Sequence, residues 1–343
     1  MGKKLFTNCS IVNVIDKTVT PGSILTEDGV ITQVGDCPCA DGDAEVIDLN
    51  GGYVMPGLFN CHTHICMPPD PAVNYNRTDC QVTLLALDHL RQHLSTGVTF
   101  IRDVGGFNYI DIDLRNAARA GKITAPDMVV SGKCICMTGG HGWQMGREAD
   151  GADDCRKAAR EQLKAGADWI KVMGTGGVMT EGVEPGSPQL DEEELRAAIA
   201  EGHKVGAKSC THSQGMTGIK NALRAGVDSI EHGFYMDDWC FEWMKEHNVY
   251  YVPTLAAMYW IKVNGTAAGI PEYAVRKVNA TFDDHLNTFR NAYKAGVKIV
   301  LGTDAGTPFN RHDKTAYEMI LMTKAGMHVW DALRAGTITA AEK

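Results

Sequence analysis

Six residues of this chain have the types and spacing to build a metal site. His62 and His64 stand two apart in Pro56-Gly57-Leu58-Phe59-Asn60-Cys61-His62-Thr63-His64. On a strand, residues i and i+2 face the same side. Both imidazoles can therefore enter one small volume, and imidazole is the commonest protein ligand for zinc and similar divalent ions. Four more residues sit on or end apolar stretches of strand character: Lys171 in Ile170-Lys171-Val172-Met173, His212, His232 and Asp304. An isolated polar group at such a place is a satisfied core residue. Six that converge on one end of a fold are costly to desolvate without a shared partner, and a metal supplies one. Lys171 is the odd member, because an ammonium repels a cation. Three readings are open for it: a salt bridge, a Schiff-base nucleophile, or a carbamate formed with carbon dioxide. The histidines and Asp304 leave a bridging position vacant, which favours the carbamate.

The elements that must gather these residues follow from the pattern of the chain. From position 53, apolar stretches alternate with amphipathic ones, which signals a parallel sheet with crossover helices. Eight strands are expected, at 53–64, 98–103, 128–131, 169–173, 207–212, 229–232, 249–254 and 298–304. Helices are expected between them, near 82–95, 112–120, 154–165, 192–205, 217–225, 237–246 and 274–295, with another at 314–325. Eight βα units read as a TIM barrel, whose active site lies at the C-terminal ends of the strands. The alternative is an open doubly wound sheet, but no G-x-G-x-x-G follows the first strand. Residues 1–52 read as a small antiparallel β unit, with a hairpin signal at Glu27-Asp28-Gly29. It has too little core to stand alone. The expected division is thus a small β domain over 1–52, an incomplete composite sandwich, and a hydrolase barrel over 53–343.

Composition excludes several classes. The 343 residues carry a formal net charge of −9 and no basic block, which argues against a nucleic-acid surface. No apolar run is long enough for a membrane span, and the N-terminus lacks a signal-peptide core. Eleven cysteines, an odd number, fit free thiols in a reducing cytoplasm. Cys37-x-Cys39 and Cys134-x-Cys136 are not the C-x-x-C of zinc ribbons.

The pair His62-x-His64, the strand-four Lys171, His212, His232 and the Gly-Thr-Asp304 ending resemble the amidohydrolase superfamily of metal-dependent hydrolases. The stretches 170–179 and 137–142 resemble its imidazolonepropionase-like branch, which includes prolidase-like and Xaa-Arg/Lys dipeptidases. The resemblance covers essentially the whole chain. It implies two divalent metals, most simply zinc. His62, His64 and Asp304 would hold one, His212 and His232 the other, with carboxylated Lys171 and a hydroxide bridging them. Asp304 would serve as general base and then acid. His141, in the loop after strand three, would bind or polarise the substrate. Tyr235 is a candidate for a substrate carboxylate, with packing as the alternative. Gly174-Thr175-Gly176-Gly177 reads as a sharp backbone turn rather than a phosphate cradle, and Arg102 as a structural partner of Asp103.

The expected activity is hydrolysis of an amide-type C–N bond in a small N-acyl amino acid or dipeptide. The rivals are a cyclic amidohydrolase or deaminase on the same metals, and a non-catalytic assembly protein. A small-molecule substrate, a cytoplasmic location and a homo-oligomer complete the expectation. Relatives carry acid where Asn60 stands, and they continue beyond Lys343. The chain therefore reads as truncated, with open edges and poor solubility expected.

Overall fold

Turn chemistry shapes the N-terminal unit, Met1–Gly57. The computed structural model describes residues 2–37, 44–72 and 74–343, so Cys39 lies outside the described residues. Four strands form one sheet here: β1 (Lys3–Asn13), β2 (Thr18–Glu27), β3 (Val30–Gly35) and β4 (Ala44–Val54), in the order β3-β2-β1-β4. Asp28 and Gly29 both adopt positive φ, 50° and 86°, as a tight hairpin between β2 and β3 demands. The expected all-antiparallel arrangement needs correction. β2 occupies one side of β1, and β4 pairs with the other side in parallel, from Lys3↔Ala44 to Ile11↔Val54.

The second unit spans Leu58–Lys343. The expected strand 53–64 is two strands. β4 ends at Val54, and β5 (Leu58–Thr63) begins only after Pro56-Gly57, where proline removes a ladder donor. β5, β6 (Val98–Asp103) and β7 (Asp127–Val130) make a three-stranded parallel sheet. The six-stranded sheet contains the two-residue strands β8 (Ile135–Cys136) and β9 (Arg147–Glu148), then β10 (Trp169–Met173), β11 (Lys208–Ser213), β12 (Ser229–His232) and β13 (Tyr250–Val252), in the order β13-β12-β11-β10-β8-β9. Expected strand eight is not a ladder. Single parallel bridges tie it, Tyr251↔Ile299 on one side and, just past its end, Thr63↔Ala305 on the other, together with backbone bonds such as Cys61 N–H to Leu301 O at 2.8 Å. Between the two sheets, Asp168 N–H donates to Val130 O at 2.8 Å.

Helices connect these strands: α1 (Asp79–Ser95), α2 (Ile110–Arg119), α3 (Ala152–Ala165), α4 (Glu192–Lys204), α5 (Met216–Ala225), α6 (Asp238–Glu246), α7 (Leu255–Asn264), α8 (Glu272–Lys294) and α9 (Thr315–Lys324). Local signals set their ends. Asp191 caps α4 reciprocally with Glu194, a capping box. Gly166 and Gly226 take φ of 105° and 91° at the C-caps of α3 and α5, the left-handed geometry glycine supplies without strain. Helix α7 was not expected, because its residues follow strand seven without a turn signal. The apolar faces of α3, α4 and α5 pack with Ile170, Val172 and Ile230 in one buried core. Truncating a fully buried member such as Leu195 to alanine would cost about 2–5 kcal/mol. No helix among the described residues is long and apolar enough to cross a membrane.

Candidate active site

Parallel register delivers the expected residues to one place. Met173 lies beside His212, and Ser213 beside His232, across successive strands. Lys171 and Met173, two apart on β10, both line a single cavity together with His62, His64, His141, His212, His232 and Asp304. The cavity contains about 790 Å³ of empty space, open solvent at its mouth included. Ligand atoms of His62, His232 and Asp304 lie within 4.8 Å of one another. Asp304 Oδ1 is 3.4 Å from His62 Nε2 and 3.3 Å from His64 Nε2. The ring centroids of His212 and His232 are 4.4 Å apart.

Each histidine has one ring nitrogen committed to a fixed neighbour. His62 Nδ1 is 2.6 Å from Glu231 Oε2, and His64 Nδ1 is 2.9 Å from Gly105 O. His212 Nε2 is 3.1 Å from Gly176 O. His232 Nδ1 lies 2.7 Å from Thr254 Oγ1, whose hydroxyl donates to Pro253 O. Thr254 must therefore accept from His232, which makes Nδ1 the protonated nitrogen there. Acceptors of this kind orient metal-binding histidines and select their tautomer. They leave Nε2 of His62, His64 and His232, but Nδ1 of His212, as the ring atoms available to a metal ion. Burial first, then neighbouring cations, holds the His62, His212 and His232 pKa values below the ordinary imidazole range. For Asp304, burial is outweighed by His62 and His64, and its carboxyl is held well below the usual range. His64 differs, because burial is outweighed there by Asp304 and its pKa is raised. Three neutral imidazoles beside an ionised carboxylate suit metal binding, which displaces any proton on the fourth, so this donor set fits divalent ions.

Two of these residues hold strained backbone. His232 and Asp304 have φ of 71° and 61°, each costing about 1–3 kcal/mol. Tyr251 donates its hydroxyl to His232 O at 2.9 Å, and Asp304 N–H donates to His62 O at 2.8 Å. The strain turns both side chains out of the strand's alternation and into the cavity.

Arg102 does not pair with Asp103. It pairs with Glu231 at 2.7 Å, lies 4.7 Å from the Trp169 ring centroid, and donates Nε–H to Cys61 O at 2.6 Å. Asp103 instead accepts from Ile65 N–H at 2.6 Å. Glu231 thus links Arg102 to His62, a role that the sequence reading passed over. Asn60, which the sequence marks only as a departure from relatives, has a structural role. Its side chain donates to Thr303 Oγ1 at 2.8 Å and accepts from Thr303 N–H at 3.1 Å, so it locks the His62 strand to the Asp304 segment. His141 reaches the cavity, with Nδ1 2.8 Å from Thr180 Oγ1. Tyr235 is not among the lining residues. It is partly buried against the apolar cluster that includes Ile270 and Val278, and Tyr75 stands in the wall. The glycines of 174–177 sit where other chain approaches closely. A Cβ on Gly176 would meet Glu184 O at 2.4 Å, and one on Gly177 the His141 ring at 2.5 Å. Cys134 and Cys136 are buried free thiols, their pKa values pushed up by burial.

Beneath Thr63 lies a second histidine group. His312 Nδ1 is 3.1 Å from His93 Nε2, and His93 Nε2 is 3.2 Å from Thr63 Oγ1. Burial, and then the neighbouring His89, pushes His93 down to about 3. His93 therefore folds neutral and takes up a proton only on unfolding below its ordinary 6.5. Its contribution to stability is full above pH 6.5 and is lost as pH falls from 6.5 toward 3, at about 1.4 kcal/mol per pH unit. Urea midpoints measured from pH 7.5 to 5.0 should fall, and His93→Gln should flatten that slope by about one proton. An unchanged slope would show that His93 is not buried neutral.

A family model described as the amidohydrolase family matches residues 53–343. The chain belongs to the amidohydrolase family. Among curated relatives, ochratoxinase of Aspergillus niger is 32% identical over 322 residues, covering 84% of this chain and 64% of that protein. The chain thus spans less than two thirds of that relative's length. An uncharacterised protein of Mycobacterium bovis is 26% identical over 84% of this chain and 73% of its own. Among solved structures, a prolidase complexed with N-methylphosphonate-L-proline superposes with a TM-score of 0.91 at 28% identity, over 99% of this chain and 87% of that one. A Xaa-Pro dipeptidase with methionine in its active site gives 0.90 at 29%, over 99% and 88%. The amidohydrolase resemblance read from the sequence therefore stands.

Proposed function

We propose that this amidohydrolase-family chain hydrolyses an amide-type C–N bond in a small N-acyl amino acid or dipeptide. The observation that carries this reading is Asp304, ionised, buried between His62 and His64, and facing a cavity with an apolar wall. The family relatives named for prolidase and ochratoxinase activity support amide cleavage. We take the eight parallel segments to close into a (β/α)8 barrel, a reading supported by the single bridges and the Asp168–Val130 bond that join the two sheets.

His62, His64 and Asp304 would hold one zinc ion, His212 and His232 a second, and Lys171 would bridge them as a carbamate. Bound there, divalent ions lower the pKa of water and polarise the scissile carbonyl. The chain's own residues do the rest. Asp304 takes the proton of the attacking water and gives it to the leaving nitrogen. Thr180 Oγ1 accepts from Gly142 N–H at 3.5 Å and in this reading donates its own proton to His141 Nδ1. His141 then presents Nε2–H to the substrate's acyl oxygen, where negative charge develops. Met67, Met145, Met173, Met179 and Met258 line the wall and adapt to varied side chains.

A hydrolysis screen on zinc-loaded protein tests the reading. Dipeptides and N-acyl amino acids should be cleaved, while cyclic ureides and aminopurines should not. Turnover of the ring substrates alone would reverse the assignment, and no turnover together with less than about one metal per chain would remove it.

A further inference from the structure

The wall of the cavity over residues 177–183 is built around a lysine that the proposed reaction does not use. Lys277, on α8, is 2% exposed. Its ammonium faces four backbone carbonyls: Gly177 O at 3.1 Å, Val178 O at 3.4 Å, Thr180 O at 2.6 Å and Val183 O at 2.5 Å. No carboxylate pairs with it among the described residues. Glu181, inside the caged segment, makes no ion pair with it among the described residues, and Glu184 is taken by Arg276 at 2.6 Å. Four carbonyl oxygens turned toward one point repel one another unless a cation sits among them, and a buried ammonium is costly unless its three protons are bonded. Each half of the arrangement therefore requires the other.

The caged segment bears on the site at three points. Val178, Met179 and Thr180 line the cavity. Thr180 Oγ1 contacts His141 Nδ1 at 2.8 Å. Gly177 lies directly beneath the His141 ring. Tyr273, one turn before Lys277, donates its hydroxyl to Met179 O at 3.2 Å, so the start of α8 grips the same segment twice.

We propose that Lys277 is a positioning residue, a built-in monovalent cation that folds 177–183 into the shape that holds Thr180 against His141. This rests on the substrate-binding role proposed for His141. Its test therefore includes a readout that needs no substrate.

Three variants decide it. Lys277→Met keeps the packing and removes the charge, Lys277→Ala opens the cage, and Thr180→Val cuts the link to His141. Amide hydrogen exchange on the zinc-loaded proteins should show 177–183 losing protection by about tenfold or more in Lys277→Met, with the 62–64 segment unchanged. The same variant should lose about 10²-fold in kcat, while metal content and KM stay near those of the parent. In Lys277→Ala, ethylammonium or potassium should restore both protection and kcat, and tetramethylammonium, too large and without donors, should restore neither. Thr180→Val should lower kcat with 177–183 still protected. Unchanged exchange in Lys277→Met would overturn the cage, whatever the enzyme's activity. Lost protection with full kcat would overturn the positioning role. If the parent protein cleaves no amide, the proposed reaction fails and the exchange experiment still judges the cage.

Discussion

Lys171→Ala is expected to bind one zinc ion per chain or fewer, and to lose about 10²-fold or more in kcat/KM. Lys171 is 1% exposed and has neither a hydrogen bond nor an ion pair among the described residues. Its charge is among the causes that lower the pKa values of His62, His212 and His232. A lasting ammonium at this point would be an uncompensated buried charge, worth several kcal/mol of destabilisation. It would also repel any cation held by those histidines. Addition of carbon dioxide to the neutral amine forms an N–C bond and releases one proton, leaving an anionic carboxylate on the same stem. That reverses the sign of the interaction, so the lysine would strengthen metal binding. The two accounts predict opposite results from one variant. If Lys171 is a carbamate, removing it lowers the metal content, and formate or acetate partly restores both metal and rate. If it is an ammonium, removing it leaves metal binding equal or tighter. Growth on labelled bicarbonate should also give the parent protein, and not the variant, a carbamate carbon resonance.

Much of this site was legible because its spacing is a backbone property. His62 and His64 follow from the period of a strand. Lys171, His212 and His232 lie near the ends of strands whose βα rhythm is visible in apolar runs and glycine caps. The residues that hold them were not legible. Glu231 stands next to His232 in the chain, where strand alternation sends the two to opposite faces. The positive φ of His232 breaks that alternation, and only the folded chain brings Glu231 to His62. Asn60 meets Thr303 across 243 positions, a pairing no local pattern encodes. Thr254 is held through Glu318, whose carboxylate accepts from the Leu255 and Ala256 N–H groups at 2.7 Å each. For Tyr235 the sequence left carboxylate binding and packing both open, since a position just after a strand end fixes nearness to the cavity but not direction. The expected eighth strand, 298–304, meets neighbours on both sides. Its ladder is absent because strained Asp304 and the bridges at Ile299 and Ala305 replace regular pairing.

Asp304→Asn should fold, keep most of its substrate affinity, and lose about 10²–10⁴ in kcat. The substitution suits the backbone, because asparagine tolerates the left-handed conformation that Asp304 adopts. An alanine there would add strain to the chemical change. What asparagine cannot do is carry a proton. In the native site the carboxylate is stabilised by His62 Nε2 and His64 Nε2, at 3.4 and 3.3 Å, and burial alone would have pushed its pKa up. Those contacts keep it ionised and so able to accept a proton from water. Asp304 is buried, so bulk solvent is a poor substitute. Loss of the charge should also weaken metal binding, so the rate must be measured at saturating zinc, with metal content determined on the same sample. A fall in kcat that persists at full occupancy belongs to the proton. If instead the variant recovers the parent rate once zinc is saturating, Asp304 is a ligand only, and the proton must travel through another group. His141 is then the candidate, since it is the lining histidine not assigned to metal, and combining Asp304→Asn with His141→Asn would abolish the residual rate.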